Sequence, residues 1–356
     1  MPIETREDLH EHLRRAMAIE LTAFPPYLYA MYSLVEQSSE ATKLLRSIAA
    51  EEMLHLVLWS NLLLSVGGEP CFYDPGVIPR FPAVLEHRSP RLEINLAPYS
   101  QQVVEEAFLA IEAPTPEGMP SEPDVFEFLG QFYRAIWEGV VRLDGEMDLF
   151  ADPQVERQFH DPHGYAAPKY DAGSSGGLLI ISDVESAAAA MSTIVHQGEG
   201  LSDDRYADPD HAELTHYAKF LMLDHAGIEA EGIHPAVLNP RTETLPEAVQ
   251  PLARLSDALY SYLFVLLDRV YAPDAQDRHH LVGTIYGSMV ALLAPVARLL
   301  MTIPVSDTEV AGPPFAYFVF ADPSKAEAEL RELARPVIEQ YPSLIPALRS
   351  LDRLPG

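Results

Sequence analysis

The sequence predicts a mainly α protein built around a helical bundle. Three observations lead there: long segments whose apolar residues recur at helical spacing, a near absence of alternating strand-like runs, and two Glu-x-x-His tetrads set in apolar helical faces. Proline is the unusual component, 31 of 356 residues, or about 9% against a usual ~5%. That abundance suits helices joined by stiff loops.

Thr5 and Asp8 form a capping box, and Leu9, Leu13, Met17, Glu20 and Phe24 follow at helical spacing, which predicts a first helix over 6–38. Pro25 and Pro26 remove two backbone donors and predict a kink or opening one turn after Glu20. A second helix over 40–66 carries Leu44, Leu45, Ile48, Met53, Leu56, Trp59 and Leu63 on its apolar face and stops at Gly67-Gly68. These two form an αα-hairpin. Residues 69–98 are proline-rich and irregular, with 92–96 as a short strand before a helix at 100–111. Pro114, Pro116, Pro120 and Pro123 stiffen the link to a third long helix over 124–149, with Phe128, Phe132, Ile136 and Val140 on one face.

A loop rich in Asp, Pro, Gly and Ser covers 151–178, and Ser182 with Glu185 forms a second capping box opening a helix at 187–198. Asp208-Pro209 caps a helix over 209–224. Further apolar helices are expected at 252–271, 277–302 and 323–340. The expected organisation is a dimetal bundle over 1–230, with inserts at 69–123 and 150–182, and a C-terminal helical extension over 231–356 packed on it as one structural unit.

Charge limits the partners. With 24 Lys+Arg against 53 Asp+Glu the formal charge is −29, which argues against nucleic acid and anionic membranes. Cys71 is the sole cysteine, so no intrachain disulfide or Cys-rich zinc site is expected. The N-terminus lacks the basic and apolar regions of a signal peptide, and the reading places the protein in the cytoplasm. The most apolar stretch, 288–305, is interrupted by Pro295 and Arg298 and falls short of the roughly 18–20 apolar residues of a membrane span.

The chemistry lies in acids and histidines on apolar faces. Glu20 shares a stripe with Leu13, Met17 and Phe24, where an unpaired carboxylate would cost on the order of several kcal/mol. Glu52 and His55 sit at i and i+3 of the second helix, and Glu213 and His216 repeat the pattern, with Glu199 on the segment before them. One Glu plus Glu-x-x-His, twice over, is the ligand arrangement of dimetal carboxylate bundles. Two divalent ions balance four carboxylates, two of which can bridge while each imidazole completes one ion, so the site can sit in an apolar core.

Spacing agrees in the second half. A hairpin turning near Arg205 puts Glu199 and Glu213 about six and eight residues from the turn, at similar height. In the first hairpin Glu20 and Glu52 match less well, and tilt or the proline kink must absorb the difference. Glu199 at a helix C-terminus is opposed by the macrodipole by about 0.3–1 kcal/mol unless a cation compensates.

A single Glu-x-x-His often arises by chance; two copies, each with a further Glu, favour a metal site over surface accident. Glu51 reads as the solvated neighbour of Glu52, and His196 as a surface or supporting residue. Glu138, Glu105 and Glu106 are reserve candidates for a third-helix ligand. His10, His12, His279 and His280 read as solvent-facing, His211 and His225 as structural. Phe24, Tyr27, Tyr29, Tyr32, Trp59, Phe132, Tyr133, Tyr217 and Phe220 read as core packing, with one or two free to line a pocket or relay an electron.

The wording of the sequence adds a resemblance. Residues 19–28 (Ile-Glu-Leu-Thr-Ala-Phe-Pro-Pro-Tyr-Leu), 51–56 (Glu-Glu-Met-Leu-His-Leu), 197–200 (Gln-Gly-Glu-Gly), 213–217 (Glu-Leu-Thr-His-Tyr) and 311–315 (Ala-Gly-Pro-Pro-Phe) resemble the ferritin-like family of the iminophenyl-pyruvate dimer synthase type, over about residues 5–320. The resemblance implies a ferritin-like four-helix bundle with proline-rich inserts and additional C-terminal helices. It also implies an iron-type oxidative enzyme, similar to violacein- and rebeccamycin-pathway enzymes that couple two imines beside a partner amino-acid oxidase. Carried over by motif, the metal ligands would be Glu20, Glu52, His55, Glu199, Glu213 and His216. Those pathway enzymes can be much longer, and this chain carries only the ferritin-like part.

The expected function is a dimetal, diiron-type oxidoreductase, an oxidase or oxygenase that uses O2 or peroxide on a small organic substrate such as an amino- or imino-acid intermediate of secondary metabolism. The competing reading is a non-catalytic metal-binding or storage protein. Manganese accepts the same Glu/His set as iron, and since a lone histidine can ligate haem, haem stays among the cofactors the sequence allows. A homo-oligomer stays open.

Overall fold

The fold was described from a computed structural model, over residues 3–160, 177–198, 214–224 and 232–354. Helix α1 (Arg6–Ser33) opens with the expected capping box: Asp8 N donates to Thr5 Oγ1 at 3.1 Å and Thr5 N donates to Asp8 Oδ2 at 2.9 Å. It continues unbroken through Pro25 and Pro26, both buried, so packing overrides the local loss of two donors. It ends five residues before the expected 38, because Leu34 bridges to Ile233 and Val35 N donates to Gly232 O.

Helix α2 (Glu40–Ser65) starts at Ser39, whose hydroxyl accepts from Thr42 N, and turns out at Gly67 with φ +87°, a left-handed conformation glycine adopts without cost. It packs along α1 as the predicted hairpin.

The first insert pairs two short strands, β1 (Ala83–Val84) and β2 (Glu93–Ile94), antiparallel, then enters α3 (101–111) from a Ser100 cap. The middle of α3, Val104–Phe108, is a π-turn, a local widening that often accompanies functional sites. Helix α4 (Leu129–Glu146) is shorter than the expected 124–149, since Phe126 exchanges backbone hydrogen bonds with His87 and Ser89 of the insert instead of joining the helix.

Helix α5 (Val184–Gln197) is capped by Asp183 with Ser186, one register on from the expected Ser182 and Glu185. Helix α6 is described as His216–Asp224; the expected turn near Arg205 and the Asp208-Pro209 cap lie outside the described residues. Helices α5 and α6 both pack on α2, and α4 packs on α1 and α5.

Three further long helices follow: α7 (Gln250–Tyr271), α8 (Arg278–Leu300, with a π segment at Ser288–Leu293) and α9 (Ala326–Gln340). Arg269 pairs with Glu327, which also accepts from Tyr262 OH at 2.9 Å, so α7 and α9 are locked together. Helix α8 starts earlier than the 288–305 stretch alone suggests and is, among the described helices, the one long and apolar enough to cross a membrane. Half of its most apolar window is buried within this fold, as in a core helix.

Segment 311–315 returns to α1. A Cβ on Gly312 would fall 2.1 Å from the Tyr29 hydroxyl, which donates to Val237 O at 2.5 Å. Only a residue without a side chain fits there. Gly312→Ala is expected to destabilise the fold by about 1–3 kcal/mol through overpacking, read from the denaturant midpoint; a wild-type midpoint would contradict this close approach.

Candidate metal centre

Each helix delivers its polar group for a simple reason. Glu20 occupies the buried stripe of α1 between Met17 and Phe24, and Glu52 and His55 are one turn apart on α2. Glu112 follows the last turn of α3, its N–H bonded to Phe108 O, and His216 opens the described part of α6. All five are between 0 and 4% exposed.

They form two clusters, Glu20–Glu52–His55 and Glu52–Glu112–His216, each offering donor atoms within 4.8 Å of one another. Glu52 belongs to both. Its Oε2 lies 3.6 Å from His55 Nδ1 and its Oε1 3.0 Å from His216 Nδ1. Glu20 Oε2 is 3.9 Å from His55 Nδ1, and Glu112 Oε2 is 3.6 Å from His216 Nδ1. The arrangement is a Glu–His pair on each side of a shared carboxylate, with the imidazoles stacked at 5.3 Å.

Outer partners fix the orientation of the four groups around Glu52. His55 Nε2 is 3.0 Å from Gln197 Oε1, and His216 Nε2 is 2.8 Å from Glu51 Oε2. Both Nε2 atoms meet acceptor oxygens, so each donates there and turns Nδ1 with its lone pair inward. Glu51 is therefore buried rather than solvated as expected, and it accepts from Lys219 Nζ at 2.6 and 2.8 Å. Lys219, fully buried, also donates to Ser47 Oγ at 2.9 Å. Tyr27 OH donates to Glu112 Oε1 at 2.8 Å, while Trp59 Nε1 and Tyr133 OH donate to Glu20 Oε1 at 2.9 and 3.1 Å. One oxygen of each flanking carboxylate is thereby held, and the other faces the cluster.

The electrostatics describe a site made for cations. Burial, followed by the charge of Glu52, raises the Glu20 pKa to about 8. For Glu52, burial and Glu112 push upward, but hydrogen bonds from Glu20 and contact with His216 leave it below its ordinary value. Burial pushes His55 down, and the Glu20 and Glu52 carboxylates outweigh it, raising the pKa to about 9. His216 is likewise raised well above its ordinary value.

The donors present also pass a direct test of fit. His216 Nδ1 is buried with no hydrogen-bond partner although Glu52 Oε1 lies 3.0 Å away, so the line a hydrogen bond needs is missing. Three inward carboxylates and two imidazole nitrogens suit two transition-metal ions of the iron or manganese kind. A space of about 10 Å3 borders Glu20, Glu52, His55 and Glu112, near the minimum for one water, and Ile19, Ala23, Ile111, Leu129 and Ile194 give it an apolar lining.

The structure thus brings together four of the six expected ligands, Glu20, Glu52, His55 and His216. Glu199 and Glu213 lie outside the described residues, although Gly198 lines the same site. Glu112 lies just past the helix expected at 100–111, which is where α3 does end, and it belongs to no Glu-x-x-His tetrad. Its signal was present: Val104, Phe108 and Glu112 recur at i, i+4 and i+8, the rule that picked out Glu20. The reserve candidates Glu105, Glu106 and Glu138 are exposed. His279 and His280 are exposed as expected, but His12 is buried beside Phe132 and His10 is half-buried with Nε2 at 3.0 Å from Val66 O. His196 is half-buried, and His211 and His225 lie outside the described residues.

Two outcomes follow. Glu20, His55 and His216 are all raised in the folded metal-free state, so the stability they give is complete at low pH and is lost as pH rises, from about 5 through 8 for Glu20 and from 6.5 through 9 for His55. Metal binding requires the deprotonated groups and strengthens over the same range. The gain in Tm on adding Fe(II) or Mn(II) should therefore grow between pH 5 and 9; a gain independent of pH would contradict the cluster. Lys219→Met should cost about 3–5 kcal/mol by breaking a buried ion pair, in denaturant unfolding, with part recovered when Glu51→Gln is added.

The ferritin-like family model matches residues 13–225. Dichlorochromopyrrolate synthase of Lentzea aerocolonigenes is 26% identical over 93% of this chain and 38% of its own length. The 2-imino-3-(indol-3-yl)propanoate dimerase of Chromobacterium violaceum is 24% identical over 88% of this chain and 34% of its own. The chain thus spans little more than a third of the length of these curated relatives. The crystal structure of a ferritin-like protein from Caulobacter vibrioides superposes with a TM-score of 0.61 at 19% identity, over 88% of this chain and 100% of that one, a likeness of fold. With the family model covering more than half of its residues, and with this fold, the chain belongs to the ferritin-like family.

Proposed function

We propose that the chain is a dimetal oxidoreductase, with iron as the working metal, acting on a small organic substrate of the amino- or imino-acid class. The observation that carries this reading is the shared Glu52 carboxylate between two inward-facing imidazoles, each with its own flanking glutamate. Glu20 and His55 would hold one ion and Glu112 and His216 the other, with Glu199 and Glu213 available as further ligands. Residues 1–230 would form this unit and 231–356 an extension upon it. Support for the substrate class comes from the two relatives named as a synthase and an imino-propanoate dimerase.

A bound iron pair would supply one-electron redox steps beside an oxidant. The protein's own groups do the rest. Tyr27 and Tyr133, whose phenols burial holds well above their ordinary pKa, stay neutral donors and fix Glu112 and Glu20. Lys219 and Glu51 hold the His216 ring, Gln197 holds that of His55, and Ile19, Ala23, Ile111, Leu129 and Ile194 line the site with apolar surface. If the reaction is coupling of two imino acids, joining them releases two electrons and two protons. Peroxide would accept these as two waters, or O2 as peroxide.

The small space at the centre, about 10 Å3, favours a second reading, a metal-holding protein without organic turnover. Purified protein is expected to take up about two iron or manganese ions per chain, with uptake reduced by Glu112→Ala or His55→Ala and unchanged by Glu138→Ala. Fe(II)-loaded protein should consume O2 or peroxide faster when an imino acid is generated beside it. Absence of metal uptake in folded protein would overturn both readings; metal uptake with no substrate-dependent oxidant consumption would leave the second.

A further inference from the structure

A cavity of about 730 Å3 lies beside the metal centre yet shares none of its lining residues. It is within the ordinary size of a small-molecule site. Helices α1 and α2 form one side, α7 and α8 the other. Along α2 it extends from Arg46 to Val57, eleven residues, or about 16 Å at the α-helical rise. Over most of that length the walls are apolar, with Leu28, Met53, Phe264, Leu267 and Leu293 facing inward. Its rim carries Val290, 70% exposed, from the π segment of α8.

Polar groups gather at one end. Arg46 and Arg298 both line the cavity there, beside the turn between α1 and α2. Arg298 lies over the Tyr32 ring at 5.9 Å, and Arg46 Nη2 donates to Gln37 O at 3.3 Å. Both guanidiniums act on the Tyr32 phenol, which places them at the same end. Neither has an ion-pair partner among the described residues, and the nearby Glu36 carboxylate is turned to Ser38 N and Oγ at 2.8 and 2.5 Å. A long, largely apolar cavity with two guanidiniums at one end, Arg46 half-buried and Arg298 exposed, is complementary to a molecule with an anionic head and an apolar tail.

We propose that this cavity binds a free elongated amphiphilic carboxylate, its head on Arg46 and Arg298 and its unbranched tail lying along α2 toward Val57. This site stands independently of the reading of the metal centre. Charge and shape choose the ligand. A compact polar substrate would leave the apolar walls unfilled, and a neutral chain would leave the half-buried Arg46 guanidinium without a counter-ion.

The test is calorimetric titration of the metal-loaded full chain with dodecanoate. One saturable site per chain is expected, with affinity rising about fourfold per methylene from octanoate upward, the worth of one buried CH2. Dodecanol should bind at least tenfold more weakly. Arg46→Gln with Arg298→Gln should bring dodecanoate down to the dodecanol level while keeping the wild-type circular dichroism spectrum and Tm, which report folding. Ala294→Trp, which fills the cavity, should abolish binding of both. No saturable binding, equal affinity of wild type and the double arginine variant for dodecanoate, or binding to anionic phospholipid vesicles in place of monomeric dodecanoate would overturn the proposal.

Discussion

Glu52 sits where two histidines and two further glutamates converge inside an apolar bundle, and the need to neutralise that convergence organises the rest of the structure. Its two oxygens face different imidazoles, at 3.6 and 3.0 Å. Burying several carboxylates together is strongly unfavourable unless protons or cations compensate. Without a cation the cluster draws in protons, which is why Glu20 rises to about 8 and His55 to about 9. Binding of metal ions to the same groups would displace those protons into solvent.

The surroundings reinforce this one requirement. Every flanking group is held from behind: Glu20 by Trp59 and Tyr133, Glu112 by Tyr27, His55 by Gln197, and His216 by Glu51 with Lys219. The two imidazoles are supported differently, one by a neutral amide and one by a carboxylate whose charge Lys219 offsets. A histidine that donates to a carboxylate is the more basic ligand, so the two halves of the site are chemically unequal. The large apolar cavity on the neighbouring face of α1 and α2 gives the fold a second chamber built on different residues.

Much of this was legible in the sequence because it depends on local periodicity. A carboxylate on an apolar stripe marked Glu20, and two Glu-x-x-His tetrads marked Glu52, His55 and His216. What escaped depends on long-range contacts. Glu51 looks solvated one residue from Glu52 until Lys219, 168 positions away, is placed against it. Glu112 caps the end of α3 outside any Glu-x-x-His tetrad, and the π-turn that precedes it has no simple sequence signature. The continuity of α1 through Pro25 and Pro26 and the start of α4 at Leu129 were likewise decided by packing and by pairing with the insert, which local propensity does not report.

The central claim is that Glu52 is shared by two metal positions. Anomalous diffraction at the metal edge, from crystals of iron- or manganese-loaded protein, tests it most directly. The account predicts two peaks, one between Glu20 and His55 and one between Glu112 and His216, with a Glu52 oxygen bound at each. A single peak, or two peaks with Glu52 bound to neither, would contradict it.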